Sequence, residues 1–263
     1  MRKRSSWAIV KAVVFALVLR ELLTRLSMRR MGAFWLIVEP TLYVVVMLVE
    51  RTWIRNLQID IGGMNYAMFL ITGLVPYMLF RQIAFTGMAA IDANRNLFAY
   101  RQIQPLDCIV ARAIVECLVR LPVYVMLLLA MGFWFGYDVG IAYPLKWFGV
   151  LCLGILFSLA LAIIFAIWAE TMPNIRIVLA AVFMAITFLS DSIFPVSKLP
   201  FEIQRWLAWN PFLQLNVQLR QAISPAYPQL PGVGFDFVIF VTLALLLIGL
   251  GLYRARRDNL VSA

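Results

Sequence analysis

Residues 91–107 read IDANRNLFAYRQIQPLD, a polar and basic stretch that ends at a proline and separates two long apolar runs, residues 66–90 and 109–136. Asp92, Asn94, Arg95, Asn96, Arg101 and Gln104 cannot enter hydrocarbon without a heavy desolvation cost, so this stretch lies in water or against another protein. Its flanks do the opposite. The alternation makes the chain a polytopic membrane protein and 91–107 a loop at one membrane face. Leu97, Phe98, Tyr100 and Ile103 put four large apolar side chains into that loop. The spacing of 97, 100 and 103 predicts a short amphipathic helix, which needs something to bury its stripe against. From these residues alone two readings stand: a hairpin loop lying on the headgroups, and a docking element.

Composition extends the first conclusion to the whole chain. With 63% hydrophobic residues and a mean hydropathy of +0.89, the protein carries far more apolar surface than one soluble core of 263 residues can use. The net charge of +10 would suggest a nucleic-acid partner in a soluble protein, but eight of the 23 lysines and arginines precede Met31. That is the pattern of basic residues held on the cytoplasmic side, and no nucleic-acid partner is expected. Cys108, Cys117 and Cys152 form neither a CxxC pair nor an even disulfide set, so they read as small buried side chains. The chain has no histidine, which removes the commonest general base and metal ligand, and no metal or other cofactor is expected in it. It also lacks a GxxxxGK[ST] phosphate loop, so ATP would have to be bound by a partner.

The expected fold is all-α, with six spans at residues 33–49, 66–90, 109–136, 145–169, 177–194 and 237–253. Residues 1–32 begin RKRSSW after the initiator Met and resemble a signal peptide only at first: Arg20, Glu21, Arg25, Arg29 and Arg30 follow the apolar run directly. Residues 7–28 read instead as a helix in the cytoplasmic interface, with a short first span as the competing assignment. Six later spans and basic residues at both ends place both termini in the cytoplasm. On that topology the inner segments 1–32, 91–112, 170–176 and 254–263 hold fifteen basic residues and the outer segments 50–65, 137–146 and 195–236 hold six.

Residues 195–236 are too long for a bare turn. Pro200 starts one helical stretch ending near Trp209, and Asn210-Pro211 supplies an N-cap and first-turn proline for a second, ending before Ser224-Pro225. Phe201, Trp206, Trp209 and Phe212 suit a re-entrant or interfacial hairpin; an aromatic belt without a gating role is the plainer alternative.

Glu39, Arg81, Glu116 and Arg120 all fall about 9–16 Å in from the inner ends of their spans by helix rise. Arg112, Glu116 and Arg120, spaced by four, share one helical face that cannot point at lipid. Structural pairing along that helix, with Glu39 or Arg81 joining from neighbours, is the primary reading. An anion path using Arg81 is the sharper alternative. A proton relay is disfavoured, because carboxylates among arginines stay ionised.

These pieces together resemble the membrane subunit of ABC-2-type polysaccharide exporters, most closely the KpsM-type capsular polysaccharide permeases. The resemblance rests on Arg20-Glu21 with Thr24-Arg25, Gly32 with Trp35 and Glu39-Pro40, Gly73-Leu74-Val75-Pro76, the Asn94–Pro105 loop, Phe194-Pro195 with Leu199-Pro200, and Asn210-Pro211 followed by Arg220. Asp191 stands where that pattern would place a small residue such as glycine. The resemblance implies a homodimer in the inner membrane bound to two separate ATPase subunits, which carry ATP and Mg, and a transport role rather than an enzymatic one. It implies that the N-terminal helix (Arg20, Glu21, Arg25) and the 91–107 loop (Asn94, Arg95, Asn96, Leu97, Phe98, Tyr100, Arg101, Ile103) dock on the ATPases. It implies that the outer hairpin (Phe194, Pro195, Pro200, Trp206, Trp209, Asn210, Pro211, Arg220) closes the exit. The cargo implied is a lipid-linked, acidic glycan, with periplasmic and outer-membrane export proteins as further partners. A sugar channel needs rings that stack on C–H faces and cationic groups for carboxylates, for which Phe34, Trp35, Tyr43, Tyr77, Phe80 and Arg81 are the candidates. Two alternatives stay open: an ABC-2 exporter of O-antigen, teichoic acid or a drug, and a membrane-embedded glycosyl- or acyltransferase, against which the missing histidine and sparse outer carboxylates count.

Overall fold

The helix that follows Asn65 is apolar on every side, and such a helix must be wrapped by others. In the computed structural model, which describes residues 6–27, 32–50, 60–61, 63–100, 102–172 and 174–262, it is the central element. The order is α1 (Ser6–Ser27), α2 (Gly32–Val49), a two-residue hairpin of β1 (Asp60–Ile61) and β2 (Met64–Asn65), α3 (Tyr66–Met88), α4 (Pro105–Phe135), α5 (Pro144–Thr171), α6 (Ile175–Leu189), α7 (Phe201–Leu207), α8 (Pro211–Ile223) and α9 (Phe235–Ser262). The side chains of Glu39 and Pro40, all of Arg101 and most of segment 50–65 lie outside the described residues.

Local chemistry sets the boundaries. Asn65 Oδ1 accepts from the Ala67 N–H to cap α3. Pro105 sits in the first turn of α4, and Gln104 and Asp107 form a reciprocal capping box, so this helix starts four residues ahead of the expected Ile109. Helix α4 ends at Gly136, in the left-handed region at φ 66°. Helix α6 stops at Leu189, five residues short of the expected Phe194, because Asp191 takes φ 57° and breaks the helical path. Helix α3 ends at Met88 rather than residue 90, and α9 runs past Tyr253 through its basic tail.

Among the described residues four helices are long and apolar enough to cross a membrane: α3, α4, α5 and residues Phe235–Arg257 of α9. Helix α3 packs on α5, α4, α8 and α2. Phe212 of α8 lies at the heart of this core, edge-on to Tyr77, Phe157 and Phe183 at ring separations of 5.4, 5.0 and 5.6 Å. That corrects its expected interfacial place. A smaller cluster at one end joins Leu17 of α1, Ile91 and Phe98 of the loop, Cys108 and Ile109 of α4, Ile163 and Ile167 of α5 and Tyr253 of α9. Leu129, Ile177, Phe240 and Leu247 are exposed, as suits helices facing lipid or another chain.

Candidate functional site

The 91–107 loop folds by three-residue closures. A 3-10 helix spans Asp92–Leu97, and the N–H groups of Phe98, Tyr100 and Ile103 then donate to the carbonyls of Arg95, Leu97 and Tyr100 at 3.0–3.1 Å. Side chains three apart eclipse in such geometry, so the spacing that predicts a short amphipathic helix is produced by a 3-10 turn and successive tight closures. Asn94 and Phe98 point inward: Asn94 donates to the Ala90 carbonyl at 2.7 Å and accepts from Arg20, while Phe98 enters the smaller core. Tyr100 is 65% exposed. Leu97, Tyr100 and Ile103 face Ile9, Ala12, Val13, Ala16, Leu17 and Arg20 of α1 across an apolar groove of about 540 Å³. Arg95, expected to dock on an ATPase, pairs within the chain with Glu170 at 2.7 Å and Asp92 at 3.3 Å, and Arg176 pairs with Asp92. Asn96 is exposed.

Helix α1 turns the charges expected to meet an ATPase toward α4 and the loop. Arg25 reaches Glu116 at 2.8 Å, Glu21 lies 3.7 Å from Arg112, and Arg20 holds Asn94. Glu116, fully buried, also takes Arg120 at 3.1 Å. The expected Arg112–Glu116–Arg120 chain is therefore half right. Arg112 leaves it to donate to the Thr86 carbonyl at 2.9 Å and to face Glu21, and Arg25 of α1 takes its place. Arg81 stays apart, 5.6 Å from the Phe85 ring centre, and forms no salt bridge among the described residues.

The 195–236 hairpin splits into unlike halves. Asn210 caps α8 by accepting from the Phe212 N–H at 3.0 Å and donates to the Leu189 carbonyl at 3.2 Å; Pro211 takes the first helical position and Pro200 precedes α7. Trp206 and Trp209 are 79% and 74% exposed, Phe194 half so, with its ring 6.0 Å from Phe188, and Pro195 opens the short turn Val196–Lys198. Arg220, by contrast, has no exposed surface. Its guanidinium meets Asp191 Oδ2 at 2.5 Å, donates to the Phe69 carbonyl at 2.9 Å and lies 3.7 Å from the Phe69 ring centre. A Cβ on Gly73 would come within 1.9 Å of Arg220 Nη2, so glycine there makes room for the arginine. Tyr227 donates to Asp191 Oδ2 at 2.6 Å and the Val196 N–H to Oδ1 at 2.7 Å. Burial pushes the Tyr227 hydroxyl well above the usual phenol range, which keeps it a donor. A positive φ explains why glycine would suit position 191; the donors around its carboxylate explain why aspartate is there.

A family model described as ABC-2 type transporter matches residues 12–223. The chain belongs to that family. It is 32% identical over 263 residues, 99% of each chain, to the polysialic acid transport protein KpsM of Escherichia coli. It is 27% identical over 251 residues to the capsule polysaccharide export inner-membrane protein BexB of Haemophilus influenzae, covering 94% of this chain and 92% of that one. With the O-antigen export system permease protein RfbA of Myxococcus xanthus it shares 26% over 211 residues, 78% and 77% of the two chains.

As an ABC-2 membrane subunit, the chain presents its channel candidates unevenly. Phe34, Trp35 and Tyr43 on α2 are open, and Arg81 is half-buried. Tyr77 and Phe80 are enclosed in the subunit: the Tyr77 hydroxyl bonds the Phe183 carbonyl at 3.1 Å and Thr187 at 2.9 Å, and a Cβ on Gly154 would meet the Phe80 ring at 2.3 Å. Sequence reading missed Asp191 as the partner of Arg220, and with it Tyr227 and Asn216, which donates to the Ser190 carbonyl and Ser192 hydroxyl at 2.7 and 2.8 Å. One signal was present. Gln214, Asn216, Gln218 and Arg220 fall within a single helix, and they are too many polar groups at alternate positions to share one wet face.

Proposed function

We propose that this chain is the permease subunit of an ATP-driven exporter that carries a lipid-linked, acidic capsular polysaccharide across the inner membrane. The observation carrying this reading is the end-to-end 32% identity to a polysialic acid transport protein. In this reading α2 and α6, about 27 and 22 Å long by helix rise, cross the membrane with the other four, both termini are cytoplasmic, and two copies enclose the path. Two ATPase subunits bind ATP and Mg and dock on the groove between α1 and the loop; periplasmic and outer-membrane export proteins take the chain onward. Phe34, Trp35 and Tyr43 are the rings left open to stack on sugar, with Arg81 as the cation for carboxylates. The likeness to an O-antigen permease supports a second cargo of the same kind.

Deleting the gene should leave finished polymer inside the cell while synthesis continues, and the composition of the retained polymer separates capsular glycan from O-antigen. Wild-type surface polymer in the deletion strain would reject the reading. The topology has its own test. Single cysteines at Ser5, Asn96 and Ser262, in a protein lacking Cys108, Cys117 and Cys152, should escape an impermeant maleimide on intact cells and react after permeabilisation. Labelling from outside at any of the three overturns the orientation.

A further inference from the structure

The outer hairpin is not one moving part. Helix α7 has no buried residue, whereas α8 buries Gln214, Asn216, Gln218 and Arg220 along with its apolar side chains. The ties of α7 are few: Gln204 donates to the Ser197 and Leu199 carbonyls at 3.2 and 2.7 Å, within its own approach, Leu207 packs partly buried on the main core, the Ala208 carbonyl accepts from Gln214 at 2.6 Å, and Trp209 touches Phe237 of α9 edge-on at 5.9 Å. Helix α8 is tied on several sides. Arg220 joins it to α3 and to Asp191, Asn216 joins it to the turn after α6, Gln214 accepts from the Gly234 N–H at 3.1 Å ahead of α9, and the Ala222 carbonyl accepts from the Tyr143 N–H at 2.8 Å ahead of α5.

The geometry points to Arg220 and Asp191 as positioning residues that hold α8, and the buried Val196 that donates to Asp191, as a fixed wall, so that opening on the outer side is confined to α7, hinging at Asn210. Withdrawing α8 would separate a fully buried Arg–Asp pair and strand both charges in an apolar core, which is strongly unfavourable. Moving α7 uncovers no buried charge and, of the apolar core, only the partly buried Leu207 and the small Ala208 beside it. Asn210 lies at the boundary, in extended backbone between the two helices, where rotation about a few dihedrals is absorbed most readily. This inference rests on the export reading for its purpose but not for its measurement.

The test uses the permease with its ATPase in intact cells, comparing an active ATPase with one that binds ATP without hydrolysing it. A cysteine replacing Ile203 on α7 should react with impermeant maleimide at rates that differ between the two states. A cysteine replacing Ala222 on α8 should stay unreactive in both. With Asp191→Asn, which keeps the side-chain shape but removes the charge, reactivity at 222 should rise about tenfold or more as α8 opens locally. Tyr227→Phe, removing one donor, should give a smaller rise in a protein that still folds. Reaction at 222 in the ATP-held state, equal rates at 203 in both states, or no rise at 222 in both Asp191→Asn and Tyr227→Phe would each overturn the proposal. None of these rates depends on polymer crossing; failure of the export reading shows separately, as surface polymer in the deletion strain.

Discussion

Replacing Glu116 by alanine should leave little folded permease in the membrane. Glu116 is fully buried between Arg25 of α1 and Arg120 of its own helix, at 2.8 and 3.1 Å. Without its carboxylate two arginines face each other across an apolar site, and breaking a buried pair in this way costs about 3–5 kcal/mol. A domain with about 5–15 kcal/mol in hand cannot lose that much and keep its population of folded molecules unchanged. Helix α1 also loses its deepest attachment to α4, so the loop that leans on Leu17 and Arg20 should loosen with it. Glu116→Gln keeps the shape and one acceptor, and should retain more folded protein. Monodisperse yield in detergent and the thermal midpoint are the measurements, taken beside export. A stable, monodisperse Glu116→Ala protein that fails to export would place Glu116 in the transport path instead.

Tyr100→Asp should uncouple the ATPase without disturbing the permease. Tyr100 is 65% exposed beside the groove on α1 and outside every span, so a charge there meets water in the free subunit. In the complex it would sit where buried aromatic side chains supply much of an interface's energy. Insertion and folding should stay normal, while co-purification of the ATPase and substrate-stimulated hydrolysis should fall by at least about tenfold, the effect of losing about 1.4 kcal/mol. Leu97→Asp is the less clean companion, because Leu97 and Ile103 also pack on the chain's own smaller core. Wild-type values of both measurements for Tyr100→Asp would remove the loop from the coupling path.

Arg220 marks where sequence reading stopped. Its place on the second helix of the 195–236 hairpin was legible, because Asn210-Pro211 announces that helix. What it binds was not, since Phe69, Gly73, Asp191 and Tyr227 are brought to it only by packing of α3, α8 and the turn after α6. The same held for Arg112, Glu116 and Arg120: a spacing of four places them on one face, but which partner each takes depends on α1 lying alongside α4. Arg20, Glu21 and Arg25 look on paper like charges waiting for another subunit, and in the fold they answer charges and amides of this one. Tyr77 and Phe80 look like channel rings and are core.

By itself the sequence determined that this is an all-α membrane protein, where polar connectors interrupt its apolar runs, which residue caps α8, and which family it resembles. Those features are local, since burial of an apolar run and capping of a helix end depend on residues within a few turns of each other. Tertiary structure alone decided that α8 is a core helix while α7 lies open, that Asp191 neutralises Arg220, and that the charges of α1 point inward. Each of those is a choice among several chemically acceptable partners far apart in the chain, and only the packing of the helices brings one of them within reach.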